Sequence, residues 1–428
     1  MTSSLKLGIA GLGTVGTGLV KIVQNHADLL TARAGRAIEI SAVCAQTRNK
    51  YRGVSLEDYA WEDDPVALAK RDDVDIFVEL IGGSDGPAKA ATEAALKAGK
   101  DVITANKAML AIHGHQLAEL AELNNCTIRF EAAVAGGIPV VKALTESLSG
   151  NKISRVMGVM NGTCNYILTR MENAKLPYDE VFQEANNLGY LEADPTLDVG
   201  GIDAGHKLAL LASIAFGTKV DFDAMNLEGI ERITIEDIQQ AADMDYRIKL
   251  LGVAQMTDQG LEQRMTPCLV PANSPLGSLE NATNMVVIEG DSSGQIVLRG
   301  AGAGEGPTAS AVMSDVMELA RGVRIPTFGQ PAANLVEAPI AITATPAAYY
   351  LRMELMDKPG ALAKVAKSLG DAGVSIDRMR QYSHNDPTAP VLIVTHKTNR
   401  TELDTALKNL TKTDMVAHAP VAIRIEEL

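Results

Sequence analysis

The densest run of polar residues in the chain is Gly189-Tyr-Leu-Glu192-Ala-Asp194-Pro-Thr-Leu-Asp198-Val-Gly-Gly-Ile-Asp203-Ala-Gly-His206-Lys207. Asp203 and Lys207 are four residues apart, which puts them on one face of a helix. Leu208, Leu211 and Ile214 continue as an apolar stripe, so this helix packs into a core. A lysine near the buried start of such a helix, beside carboxylates, can have its proton affinity tuned and can hand a proton to a carbonyl oxygen. The neighbouring carboxylates could hold an ammonium group. Spacing alone fits an ordinary surface ion pair equally well. Asp194, before Pro195, reads as a turn former, and His206 as a packing or exposed residue.

A second chemical signal lies near the chain start. Leu5–Ala10 alternates apolar residues as a strand does, and Gly11-Leu-Gly13-Thr-Val-Gly16 follows. Val15, Leu19, Ile22 and Val23 then recur at helical spacing. In that context the first glycine permits a tight turn and the second lets backbone approach a pyrophosphate. The third lets helix pack on strand, and the helix N-terminus attracts the phosphate charge. After the next strand, Ala37–Val43, an acidic residue would select the ribose of NAD. The chain has Arg48 and Lys50 instead, which favours the extra phosphate of NADP unless both are solvated loop charges. Thr104-Ala-Asn-Lys107 follows a further strand, where ligands of parallel sheets bind.

These residues need elements to hold them. Val74–Ile81 and Asp101–Thr104 read as strands, with an Ala-rich helix, Ala88–Ala98, between them. Strands alternating with helices imply a parallel sheet covered on both faces. From Ile138 to Pro331 the pattern is less regular, with a long helix over Asp203–Phe216 and strand-like runs at Arg155–Met160, Asn284–Glu289 and Ile296–Leu298. Gly300–Pro307 is a second Gly-rich turn, and Ala338–Pro346 reads as an uncharged linker. Beyond it, Tyr349–Met356, Ala361–Asp371, Val374–Tyr382, Val391–Lys397, Thr401–Leu410 and Val421–Ile425 give the order βαββαβ, a ferredoxin-like arrangement. Glu131–Pro139 reads as a strand followed by a Pro-started helix.

Composition limits the function classes. The 428 residues are 46% hydrophobic and 21% charged, which suits a multidomain globular protein. No apolar run reaches membrane-span length. A net charge of −14 argues against a nucleic-acid surface. Cys44, Cys126, Cys164 and Cys268 are far apart and unpaired in pattern, as expected in a reducing, cytoplasmic setting. No secretory signal is expected from Met1–Lys6.

Taken together, the motifs GLGTVG (11–16), TANKA (104–108), NGTCNYIL (161–168), LGYLEADPTLDVGGIDAGHKLALLA (188–212) and RGAGAGEGPTASAV (299–312) resemble the homoserine dehydrogenase family. The resemblance implies NAD(P)H-dependent reduction of L-aspartate 4-semialdehyde to L-homoserine, in threonine, methionine and isoleucine biosynthesis. It implies that Lys207 donates the proton, that Asp203 positions it, and that Lys107 is a second lysine beside nicotinamide and substrate. Glu192 and Asp198 would hold the substrate amino group or order the site. The cofactor set expected is Gly11, Leu12, Gly13, Thr14, Val15, Gly16, Arg48, Lys50, Gly83, Ser84, Lys107 and Gly304. A structural sodium ion is implied on Glu131, Val134, Gly136 and Ile138, through a carboxylate and backbone oxygens. Cys164 departs from the threonine usual at its position, and hydride transfer gives it no nucleophilic task.

The C-terminal residues Leu355-Met-Asp357-Lys-Pro359-Gly360-Ala-Leu362, with Val374-Ser375-Ile376 beyond, resemble an ACT domain. Such domains bind an amino acid near that turn, here expected to be threonine, or serve only as dimerisation modules. Ser375 stands where many have Asn. The implied architecture is α/β: a Rossmann domain (1–137), a central α+β catalytic and dimerisation domain (138–337, with part of 300–330 returning to the nucleotide domain) and a ferredoxin-like ACT domain (348–428). A homodimer or homotetramer is expected. Two other readings remain at this point. One is another amino-acid-pathway NAD(P)-dependent oxidoreductase; the other is a non-catalytic sensor of dinucleotide and amino acid.

Overall fold

A computed structural model describes residues 3–191, 194–341, 344–382 and 387–427. The N-terminal third is a parallel sheet of six strands: β1 (Leu5–Ala10), β2 (Ile38–Cys44), β3 (Ala60–Glu62), β4 (Ile76–Glu79), β5 (Asp101–Thr104) and β6 (Ile128–Arg129). Their order is β3-β2-β1-β4-β5-β6, the doubly wound dinucleotide-binding order. β1 and β4 are buried along almost their whole length, which is why they read as continuous apolar runs.

The second sheet is mostly antiparallel and runs through the rest of the chain. It contains β7 (Ile153–Val159), β8 (Asn226–Leu227), β9 (Tyr246–Thr257), β10 (Gly260–Pro271), β11 (Thr283–Gly290), β12 (Gly294–Ala301), β13 (Tyr349–Met356), β14 (Ile376–Gln381), β15 (Thr388–Thr395) and β16 (Val421–Ile425). The order is β12-β11-β7-β9-β10-β16-β13-β15-β14, with β8 added on β10. The βαββαβ order of the C-terminal unit is present, with helices Ala361–Asp371 and Arg400–Thr411. Its last strand continues the central sheet, because β16 pairs in parallel with β10.

The helix Glu305–Ala320 packs back on the first helix, Thr14–Asn25. Gly18 makes this contact possible: a Cβ there would stand 2.8 Å from Glu305 Cγ and 3.0 Å from Ala309 Cβ. Lys21 and Glu305 close the contact at 2.6 Å.

Two expectations need correction. Ala338–Pro346 is not a loose linker over its first residues, because Leu261 N donates to Pro339 O (2.7 Å) and Ala341 N to Leu261 O (3.1 Å). Gly260 permits this, since a Cβ there would lie 2.1 Å from Pro339 O. Glu131–Pro139 does not begin as a strand. Glu131–Ala133 is a 3₁₀ turn, and Ala135 and Gly136 follow with φ of 56° and 54°. The deciding contacts are long-range: Glu131 N donates to Asp315 Oδ2, and the Glu131 carboxylate accepts from Val141 N and Lys142 N.

Candidate active site

The N-terminal turn has the geometry of a phosphate cradle. Gly11 has φ of 101°, and a Cβ there would lie 2.3 Å from Leu80 O. A Cβ on Gly16 would lie 2.0 Å from Gly11 O, whereas the same position on Gly13 meets nothing within 4 Å. Gly13, at the N-cap of the Thr14–Asn25 helix, therefore leaves open space where helical N–H groups begin. Gly11, Leu12 and Gly13 line a cavity of about 350 Å³ together with Thr47, Lys50 and Arg52. Arg48 is not on this wall; its guanidinium lies 5.7 Å from the Trp61 ring centre. Arg52, which the sequence did not single out, donates to Leu12 O (3.2 Å), Thr47 O (2.6 Å) and Lys50 O (2.8 Å). It ties the loop after β2 to the glycine turn.

A larger cavity, about 590 Å³, lies between the parallel sheet and the central unit. Val15, Lys107, Asp198, Asp203, Lys207 and Gly304 are on its wall. Lys107 and Asp203 also face a neighbouring cavity of about 480 Å³ that includes Gly83, Ser84 and His206. Thr14 and Gly16 stay within the first helix and line neither cavity.

Asp203 is the centre of the polar cluster. Its Oδ2 accepts from Lys207 Nζ at 2.7 Å, and its Oδ1 stands 2.9 Å from Lys107 Nζ. Lys207 Nζ also donates to Met160 O at 3.0 Å. Asp203 and Lys207 are buried, so this is not the surface pair that spacing alone allowed. Burial by itself would raise the Asp203 carboxyl; the two ammonium groups outweigh it and hold the carboxyl far below its ordinary range.

Asn161 organises the carboxylates from the turn before the Gly162–Ala174 helix. Its Nδ2 donates to Asp198 Oδ1 (2.9 Å) and Asp203 Oδ2 (3.2 Å), while its Oδ1 caps that helix at Cys164 N (2.8 Å). Cys164 is fully buried, and its Sγ lies 3.2 Å from Asp198 O. Burial, with Asp198 and Asp203 nearby, pushes its thiol well above the usual range, which suits packing rather than attack. Asp194 caps the short helix Pro195–Val199 by accepting from Thr196, so the turn-forming reading is right. His206 packs against Phe222, ring centres 4.3 Å apart, and burial lowers its proton affinity. Glu192 lies outside the described residues.

Lys107 is held from below by a network without a sequence motif. Buried Glu79 accepts from Thr104 Oγ1 (2.5 Å), Ile81 N (2.7 Å) and Gly82 N (3.1 Å). Thr104 Oγ1 in turn accepts from Asn106 N, and Asn106 Nδ2 donates to Gly83 O at 2.7 Å. The two loops that carry Gly83 and Lys107 are thus one unit. Two further residues escaped the sequence reading. Asn284 sits against Gly162 and Gly302, and its buried Oδ1 has no hydrogen-bond partner among the described residues. Lys249 is a buried lysine donating to Asn165 Oδ1 (2.9 Å) and Leu279 O, at the base of the loop that leads to Asn284. Burial drives its proton affinity down to about 8. A lone lysine inside an apolar strand gives no local signal of either role.

At the expected cation site, Gly136 is pressed against the second Gly-rich turn, where a Cβ would lie 2.5 Å from Gly302 O. Burial, with Asp315 adjacent, raises the Glu131 carboxyl to about 8. Among the described residues, three or more His, Cys, Asp or Glu side chains nowhere form a metal-holding group.

Comparison with known proteins agrees with this arrangement. Residues 11–131 match the family model "Homoserine dehydrogenase, NAD binding domain", 139–317 match "Homoserine dehydrogenase", and 349–414 match "ACT domain". The homoserine dehydrogenase of Neisseria gonorrhoeae is 40% identical over 99% of both chains. The crystal structure of a homoserine dehydrogenase from Thiobacillus denitrificans superposes with a TM-score of 0.94 at 37% identity, over 99% of this chain and 98% of that one. A hyperthermophilic archaeal homoserine dehydrogenase in complex with NADPH shares the fold at 24% identity, with a TM-score of 0.64 over 76% of this chain and 99% of that one.

Proposed function

Because this chain belongs to the homoserine dehydrogenase family, an NAD(P)-dependent oxidoreductase interconverting L-aspartate 4-semialdehyde and L-homoserine, we propose specific roles for its residues in that reaction. The observation that carries them is the pair of ammonium groups held by one buried carboxylate on the cavity wall. When bound, the dinucleotide would supply the hydride that reduces the aldehyde carbon. Lys207 gives a proton from Nζ to the carbonyl oxygen as negative charge grows there, and recovers it from solvent. Lys107 stabilises the same oxygen electrostatically. Asp203 keeps both lysines aimed, and Asp198, fixed by Asn161, orders the substrate side with Glu192. Two cations already oriented toward the developing charge need little reorganisation, which is where such sites obtain most of their rate.

Gly11–Gly16 would hold the pyrophosphate, and Gly83, Ser84 and Gly304 would contact the nicotinamide half. NADP is the preferred form: Lys50 and Arg52 line the adenosine-side cavity, and Arg48 stands on the same loop over Trp61. The peptide oxygens of Val134, Gly136 and Ile138 would hold a sodium ion, which would supply a fixed positive charge to this turn. Oxygen donors suit a hard cation. The carboxylate of Glu131 already accepts two amide N–H groups, so it contributes its charge more than a free ligand position. A cation there would also offset the repulsion between buried Glu131 and Asp315.

The C-terminal unit senses an amino acid, threonine being the expected one, as end-product control of a pathway to threonine, methionine and isoleucine. The chain assembles as a homodimer or homotetramer through its central unit, whose edge strand β12 keeps Val297 exposed. Four buried, unpaired cysteines fit the reducing cytoplasm. No described helix is long and apolar enough to cross a membrane. An NADPH absorbance assay with L-aspartate 4-semialdehyde, repeated with NADH, tests activity and cofactor choice together. Equal or better use of NADH would overturn the NADP preference.

A further inference from the structure

Glu79 ends β4 with its side chain wholly inside the protein. Its Oε1 accepts from Ile81 N (2.7 Å) and Gly82 N (3.1 Å), and its Oε2 accepts from Thr104 Oγ1 (2.5 Å). Two consecutive amide N–H groups around one carboxylate oxygen make a small anion-binding concavity. Thr104 Oγ1 accepts from Asn106 N (2.9 Å), so its single proton goes to Glu79.

The turn above Glu79 is bare. Gly82 and Gly83 have φ of 87° and 86° and are exposed, and a Cβ on Gly82 would meet nothing within 4 Å. The underside of the turn is thus held by a buried carboxylate while its face is open to a ligand. Leu80 and Ile81 line the cavity beside the first glycine turn. Gly83 and Ser84 line the neighbouring cavity of about 480 Å³, and Lys107 lines both that one and the largest. One carboxylate therefore lies under the junction of all three.

The link from this turn to Lys107 is short. Asn106 Nδ2 donates to Gly83 O (2.7 Å), and Asn106 Oδ1 caps the helix Lys107–Leu123 at Met109 N (3.1 Å). Lys107 is the first residue of that helix, and its Nζ stands 2.9 Å from Asp203 Oδ1. Thr104 and Asn106 are buried. A shift of Gly83 must carry Asn106 with it or leave buried polar groups unpaired.

We propose that Glu79 and Thr104 are positioning residues that carry the occupancy of the Gly82–Ser84 turn to Lys107, so that dinucleotide and substrate each tighten the binding of the other. The proposal rests on the reading that Gly83 and Ser84 face the nicotinamide half and Lys107 the substrate. The test titrates NADPH and L-homoserine into the full-length protein, each alone and each with the other present, following binding heat. Both ligands are reduced, so no turnover accompanies the heat. In the wild type, saturating NADPH is expected to tighten L-homoserine at least about fivefold, and L-homoserine to tighten NADPH by the same factor. Thr104→Val keeps the shape and loses the hydroxyl; Glu79→Gln turns one acceptor into a donor. Both variants are expected to bring the factor down to about one, and Thr104→Ser to keep it. A wild-type factor in Thr104→Val overturns the proposal, and so does weaker binding of each ligand alone with the factor preserved, which is the mark of a mere brace. Loss of the factor in Thr104→Ser overturns the hydroxyl link. Independent binding of the two ligands to the wild type overturns the coupling and leaves the site reading standing. A wild type that binds neither ligand overturns both.

Discussion

Lys107 and Asp203 meet across 2.9 Å although distant helices carry them, Lys107–Leu123 following β5 of the parallel sheet and Ile202–Phe216 in the central unit. The same carboxylate holds Lys207 from the opposite oxygen. The two halves of the active site are thus joined at one buried charge.

Asp203→Asn leaves two ammonium groups without their counter-charge. Turnover is expected to fall about 100-fold or more, and the fold to lose about 3–5 kcal/mol, as when one member of a buried pair is removed. The pH dependence has a definite sign. The Asp203 carboxyl is depressed in the folded state, so its contribution is fully present above the ordinary carboxylate range and is lost only as pH falls through the depressed one. The gap in Tm between wild type and D203N is therefore constant from about pH 5 to 7 and closes only in strong acid. A gap that closes near neutrality would contradict the assignment.

Lys50 and Arg52 are expected to separate by function. Lys50→Ala raises KM for NADPH about tenfold or more and leaves KM for NADH nearly unchanged, because only the extra phosphate loses a partner. Arg52→Ala raises both, because its guanidinium holds the peptide oxygens of Leu12, Thr47 and Lys50. Steady-state kinetics with the two cofactors distinguish these outcomes. Equal effects of Lys50→Ala on both would sink the phosphate role.

Lys249 predicts a link between a buried amine and the site loop. Lys249→Met strips the donors from Asn165 Oδ1 and Leu279 O, and KM for the semialdehyde is expected to rise several-fold as the loop to Asn284 loosens. Burial lowers this amine to about 8 from 10.5, so the unfolded chain binds the extra proton between those values. Stability of the wild type relative to K249M therefore rises as pH increases from 8 toward 10.5. Thermal melts across that range check it, and a relative fall would refute the burial argument.

The proposed cation gives a salt-identity prediction. Replacing sodium chloride by choline chloride at equal ionic strength lowers Tm in the wild type, and Glu131→Gln removes that difference. Identical melts of the wild type in both salts would mean that the Val134–Ile138 turn needs no ion.

Local signals in the chain were sufficient for the frame. The Gly11–Gly16 turn lies between β1 and its helix because strand, glycine spacing and helical stripe are adjacent in sequence. Asp203 and Lys207 share a helix face for the same reason. What stayed hidden depends on distant contacts. Nothing near Lys107 announces Asp203, and nothing near Asn161 announces its two carboxylate partners. Glu131–Pro139 looked like a strand because its apolar run is short; the buried Asp315 decides otherwise. The β10–β16 pairing is a parallel contact between segments far apart in the chain, and periodicity carries no information about such partners.

The central claim is that Lys207 delivers the proton. Lys207→Ala should lower kcat by about two to three orders of magnitude in the NADPH-dependent reduction of L-aspartate 4-semialdehyde, with NADPH affinity preserved. Near-wild-type turnover of that variant, measured in the same assay, would contradict the account.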